Sequence, residues 1–222
     1  MVPHPYHAGL TSDLLAVLRE GRREGRAPVW LVGFSLGGNI VLKLAGELGE
    51  TAPALIRGVC AISTPLDLAA CTGRLANAEN RIYERRFLRH MRARACRTGL
   101  YTASDFAGIG SLIEADDRIT APSFGFRNAA HYYRTQSAIH YLAEIRVPTI
   151  LIQAKDDVFV PFEIYASAAV SRNPRIKLVI TRHGGHLGFI GRKPHRFWMN
   201  HAVLDWIREQ SAAGAPAASL AR

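Results

Sequence analysis

Ser35 is the residue of this chain most suited to chemistry. It sits at the centre of Gly33-Phe34-Ser35-Leu36-Gly37, between the apolar run Val29-Trp30-Leu31-Val32 and the segment Gly38-Asn39-Ile40-Val41-Leu42-Lys43-Leu44-Ala45. The run reads as a buried strand and the segment as a helix, so the serine falls on a sharp strand-to-helix turn of the G-x-S-x-G type. A Cβ at either flanking glycine is expected to collide with the neighbouring strand or helix. The helix that starts after Ser35 turns its free N–H groups and positive dipole end toward the reacting atom, which makes the Leu36 N–H a natural donor to an oxyanion. A serine hydroxyl is a poor nucleophile until a base takes its proton, and that base needs a carboxylate to hold its tautomer. Two segments supply candidates. Lys155-Asp156-Asp157-Val158-Phe159-Val160-Pro161 offers two carboxylates, and His183-Gly184-Gly185-His186-Leu187-Gly188 offers two imidazoles. Asp157 heads an Asp-x-x-Val-Pro turn and is preferred, leaving Asp156 a turn or capping role. His186 lies among glycines that let a loop bring its ring to the serine. His183, nearer the strand end, reads as a structural hydrogen-bonder.

These groups need elements to hold them. Thr149–Ala154 leads into the carboxylates, and Ile176–Ile180 leads into the histidines. With Val29–Phe34 and Ile56–Ser63 they make four apolar strands separated by helical patterns. That alternation predicts an α/β fold with a mostly parallel sheet covered on both faces, and each candidate then falls just past a strand's carboxyl end. Helices are expected over residues 11–20, with Thr11 or Ser12 as cap, near Pro161–Ser171 and over Phe197–Gln210. Gly21 and Gly25 are expected to bracket a basic loop. The Ala-, Ser-, Gly- and Pro-rich stretch 211–222 reads as a disordered tail.

Length and composition narrow the function. The 222 residues, 48% of them apolar, suffice for one sizeable core with an inserted cap. No run of 18 apolar residues appears, and Met1-Val2-Pro3-His4-Pro5-Tyr6 carries no secretory pattern. Cys60, Cys71 and Cys96 have no metal-ligand spacing, and Cys60 reads as core; this usage fits a reducing cytoplasm. The formal charge is +10, with arginine far outnumbering Lys43, Lys155, Lys177 and Lys193. No interleaving of aromatic and basic residues suggests nucleic-acid binding.

About 80 residues, 66–145, carry no strand pattern and are expected to form a helical lid inserted between core segments 1–65 and 146–210. Within it, Arg81 to Arg94 is helical in pattern, with Ile82, Phe87, Leu88 and Met91 on one side and arginines on the rest. It reads either as the solvated basic face of a lid helix or as a basic amphipathic helix, spanning 81–97, that touches anionic membrane.

The chain resembles the YheT-like branch of the α/β-hydrolase superfamily. The matching stretches are Tyr6-His7-Ala8-Gly9-Leu10-Thr11-Ser12-Asp13-Leu14, Gly33-Phe34-Ser35-Leu36-Gly37-Gly38-Asn39, Ala121-Pro122-Ser123-Phe124-Gly125-Phe126, Tyr132-Tyr133, Ala154-Lys155-Asp156-Asp157 and Gly184-Gly185-His186-Leu187-Gly188-Phe189. The likeness extends over nearly all of residues 6–208. It implies that nucleophile, acid and base fall on Ser35, Asp157 and His186, with a small-molecule acyl or lipid ester as substrate and no cofactor or metal. It also implies a His-Gly loop upstream of Tyr6-His7 that gives a second oxyanion N–H, and a longer sheet whose first half has no counterpart here. From that follow two expectations: Val29–Phe34 is a sheet edge able to self-associate, and activity is weak. A catalytically silent hydrolase remnant that binds a partner or membrane is the competing reading.

Overall fold

The computed structural model describes residues 6–192 and 196–213. Four parallel strands form one sheet in the order β1 (Val29–Phe34), β2 (Ile56–Ile62), β3 (Thr149–Ala154), β4 (Ile176–Thr181). The inner strands are apolar almost without a break. β3 is buried at every position and β2 at all but Arg57, as a strand covered on both faces requires. Alternate side chains divide between two cores. Val59, Ala61 and Leu151 face Leu42 and Leu44 of α2 (Leu36–Leu48), with α1 (Ser12–Arg23) alongside through Leu18. Cys60, Ile62, Ile150 and Ile152 face Val203 and Trp206 of the last helix, Trp198–Ala213. Burial alone pushes the Cys60 thiol up to about 12, so it packs as a small hydrophobe.

Between β2 and β3 the described chain is helical: α3 (Leu68–Leu75), α4 (Arg81–Cys96), the short α5 (Leu112–Ala115), one π-helical turn Asp116–Thr120, the short α6 (Ala121–Ser123) and α7 (Ala129–Gln136). Asp67 and Asn128 cap α3 and α7 by accepting the N–H groups of Ala70 and His131. After β3 come a 3₁₀ segment, Phe162–Ala166, and the single-turn α8 (Ala168–Ser171); the last described element is α9, the Trp198–Ala213 helix.

Several expectations need correction. α1 runs through Gly21 to Arg23, so only the turn from Glu24 is loop, and Thr11 caps nothing because its hydroxyl donates to Glu47 instead. Ser167, whose hydroxyl accepts the Ala169 N–H, divides Pro161–Ser171 into two short pieces where one helix was expected. Residues 211–213 are the last turn of α9; the rest of the expected tail lies outside the described residues. On α4, Ile82 does not join Phe87 and Met91. It is 80% exposed, and the inward positions are Glu84 and Ala95.

β1 has a neighbour on one side only among the described residues, and Val32 and Phe34 are exposed along it. Trp30 is sheltered by Trp206, edge to face at 5.4 Å.

Candidate active site

The register of the sheet brings the candidate residues to one edge. Phe34 lies beside Ile62, Ile62 beside Ile152 and Ile152 beside Val179, so the chain leaves β1, β3 and β4 at the same carboxyl end. Ser35 is the first residue past β1 and stays tied to the sheet through its N–H to Ile62 O at 2.8 Å. Its backbone sits at φ 49° and ψ −123°, a region that costs a non-glycine residue about 1–3 kcal/mol. Tight packing enforces it. A Cβ on Gly33 would stand 2.5 Å from Gly37 O. The second expected collision is misplaced by one residue, because Gly37 faces open space and the crowded position is Gly38, which abuts the Thr64 hydroxyl. Leu36 opens α2, where its N–H has no intrahelical acceptor.

His186 reaches Ser35 from the loop after β4. Its Nε2 is 2.8 Å from Ser35 Oγ, and its Nδ1 lies 2.9 and 3.2 Å from the two oxygens of Asp157. The carboxylate can only accept, so the proton between them sits on Nδ1 and Nε2 is left to accept from the serine. The Asp157 side chain is fully buried but not short of donors: Phe159 N–H and Val160 N–H donate to Oδ1, and the Gln153 amide donates to Oδ2. Phe159 packs its ring against His186 at 4.9 Å.

The competing pair has a different place. Asp156 is exposed. Its Oδ1 accepts the Gly185 N–H at 2.8 Å and its Oδ2 lies 3.3 Å from His183 Nδ1. Desolvation works against its ionisation, but the Gly185 N–H, the His183 ring and the Gly184 N–H outweigh it and hold the carboxyl below its ordinary value. Asp156 therefore fastens the loop that carries His186. Gly184 in that loop has no room for a side chain, since a Cβ would meet the Phe189 ring at 2.7 Å.

Ser35 and His186 open on a cavity of about 340 Å³, walled by Leu68, Leu75, Phe87, Met91, Leu112 and Ile119 among others. Asp116 also lines it, accepting from the Tyr133 and Thr120 hydroxyls at 2.7 Å each; desolvation raises its carboxyl above the usual value despite those bonds. No group of three or more metal-ligating side chains occurs among the described residues.

Three supporting residues escaped the sequence reading. Asn39 joins three segments: its amide donates to Ala8 O and Gln136 O, and its carbonyl accepts the Ala138 N–H. Tyr165 both donates to Thr64 O and accepts Thr64 N–H, fixing the end of β2. His7 lies in the cavity wall. Only the position of Asn39, four residues after the serine, carried a usable signal.

A model of the alpha/beta hydrolase family matches residues 2–198. The chain belongs to that family. It is 34% identical over 212 residues to the Escherichia coli (strain K12) protein YheT, covering 91% of this chain and 62% of that one. To phospholipase ABHD3 of Homo sapiens it is 26% identical over 202 residues, covering 86% of this chain and 48% of the relative. The chain thus spans less than two thirds of the length of these relatives. Among solved structures, a monoacylglycerol lipase from Paleococcus ferrophilus superposes with a TM-score of 0.53 at 15% identity, over 90% of this chain and 76% of that one. At that identity the match speaks for the fold alone.

Proposed function

We propose that this chain is a serine hydrolase that cleaves carboxylic esters of acyl or lipid type. The observation that supports it best is the unbroken hydrogen-bonded series Ser35–His186–Asp157 at the mouth of an apolar cavity. Ser35 Oγ attacks the acyl carbon while His186 Nε2 takes its proton; the carbonyl electrons pass to oxygen, which accepts from the Leu36 N–H. The tetrahedral intermediate collapses, His186 returns the proton to the leaving alcohol, and water repeats the cycle on the acyl-enzyme. Asp157 keeps the imidazole in the required tautomer and stabilises its charged form. Relatives named phospholipase and monoacylglycerol lipase favour a lipid ester. Residues 66–145 act in this reading as the lid that shapes the acyl site, on a core of 1–65 and 146–210.

The test is covalent labelling. A fluorophosphonate should modify Ser35, and Ser35→Ala should lose the label together with p-nitrophenyl ester turnover, a fall of roughly 10⁶ in kcat where the nucleophile is removed. Equal labelling of Ser35→Ala, or a folded parent that never labels, ends this reading and leaves the silent-remnant alternative.

A further inference from the structure

His7 is a polar group of the cavity wall to which the serine mechanism gives no role. Its residue is only 7% exposed, and its ring is enclosed edge-on by Phe124, Phe126 and Tyr132 at centroid distances of 4.5, 5.4 and 5.8 Å. The loop that carries it is held firmly. Asn39 of α2 donates to Ala8 O at 2.9 Å, and the Ala8 N–H donates to the Tyr132 hydroxyl at 2.8 Å. These bonds dock residues 7–9 against the first turns of the helix that Ser35 begins.

The contacts also define the ring's protons. The Gly9 N–H donates to His7 Nδ1 at 3.2 Å, so Nδ1 carries the lone pair and the proton resides on Nε2. Burial, with Lys43 as a lesser cause, pushes the pKa down to about 4, and the ring is neutral at pH 7. Nε2 has no partner among the described residues. The open space that the ring lines is the cavity containing Ser35 and His186.

We propose that His7 Nε2–H donates a hydrogen bond to the carbonyl oxygen of the bound ester and, with the Leu36 N–H, to the oxyanion that forms there. The inference rests on the serine-hydrolase reading and supplies its second oxyanion donor. Its proton stays in place throughout: the Ser35 proton goes to His186, and the electron pair released from the C=O bond goes to the oxygen His7 contacts. Neutrality suits the task. A second imidazolium in this small, apolar space would oppose the charge His186 gains in the transition state, whereas a neutral N–H stabilises the oxyanion without that repulsion.

Two amides separate the donor from the scaffold. In His7→Asn a carbonyl at the Nδ1 position can still accept the Gly9 N–H, but nothing replaces Nε2. In His7→Gln the amide NH₂ falls where Nε2–H was. Losing one oxyanion donor costs roughly 10²–10³ in kcat. His7→Asn should therefore lower kcat on p-nitrophenyl butyrate about 100-fold with KM little changed, and weaken a trifluoromethyl ketone, which forms a tetrahedral adduct, by a similar factor. Affinity for decanol, which has no carbonyl, should stay the same. His7→Gln should recover at least tenfold of the loss. If His7→Asn leaves kcat and ketone affinity within about threefold of the parent, or if Asn and Gln fall equally, the proposal is overturned. Fluorophosphonate labelling of the unaltered protein separates the two claims: an unlabelled parent removes the hydrolase reading and this one together, whereas a labelled parent with an insensitive His7→Asn removes this one alone.

Discussion

The cavity has a floor and a wall built on opposite principles. At the floor, the Asp157 side chain is fully buried and accepts from two backbone N–H groups, the amide of Gln153 on β3 and an imidazole from the loop after β4. The wall, α3 to α7, faces the cavity chiefly with apolar side chains such as Leu68, Leu75, Phe87, Met91 and Ile119. α4 is fixed by Glu84, which accepts the Leu112 N–H at 3.1 Å, and by Tyr83 and Phe87 against Phe159 at 4.8 and 5.7 Å. Phe159 in turn touches His186, so one aromatic ring is the joint between the two regions. A polar network fixes atoms to tenths of an ångström and suits proton transfer. An apolar wall tolerates repacking and suits choice of substrate.

The largest expected effect tests the floor. Asp157→Asn leaves the shape unchanged but presents an amide to His186, which favours the wrong tautomer, so kcat should fall about 10⁴-fold. Asp156→Asn can still accept the Gly185 N–H through its carbonyl oxygen and should cost less than tenfold. Ester hydrolysis by the two variants decides it, and the reverse ranking would move the acid to Asp156. If both variants lost equally, the loop as a whole and not one carboxylate would be the sensitive part, and the contrast between floor and wall would weaken.

The same division governs how much the sequence revealed. All four strands were legible to within a residue or two: β2 and β3, covered on both faces, have to be apolar along their length, and the edge strands β1 and β4 are short, largely apolar runs bounded by turn residues. Ser35, Asp157 and His186 could be named as candidates because each follows a strand's carboxyl end, and the three side chains lie within hydrogen-bonding distance in series. The wall was not. A helix exposed on one side and lining a cavity on the other has two faces that can accept apolar residues, and pattern alone put Ile82 with Phe87 although the inward position belongs to Glu84. The π-helical turn at Asp116–Thr120 has no periodicity of its own to read. His7 escaped because its meaning lies in Gly9 N–H and three rings that arrive from residues 124–132.

A middle-sized effect is expected at the wall. Phe87→Ala and Met91→Ala remove apolar surface from the cavity and should redistribute kcat/KM along a series of p-nitrophenyl esters from acetate to decanoate. About tenfold is the scale for one or two methylenes of fit. Labelling by a small fluorophosphonate should change little. A uniform loss across the series would mean that α4 supports His186 through Phe159 and does not measure the chain.

The smallest effect concerns the outer side of α4. Arg85 and Arg86 lie three and four residues after Ile82, as its neighbours on the helix surface, and Arg89 and Arg92 continue the row. All four arginines are exposed. An apolar side chain followed by a row of guanidinium groups suits the surface of an anionic bilayer, with Ile82 entering among the headgroups and the arginines over the phosphates. Each arginine near such a surface is worth roughly fivefold in binding, an attraction that fades as the Debye length shrinks from about 30 Å at 0.01 M salt to about 8 Å at 0.15 M. We therefore expect co-sedimentation with phosphatidylserine vesicles at 0.01 M salt, most of it lost at 0.15 M. Changing the four arginines to glutamine should abolish it, Ile82→Ser should weaken it less, and neither should alter turnover of a water-soluble ester. Equal binding to phosphatidylcholine vesicles, or binding insensitive to salt, would eliminate the membrane role and leave the outer face of α4 simply solvated.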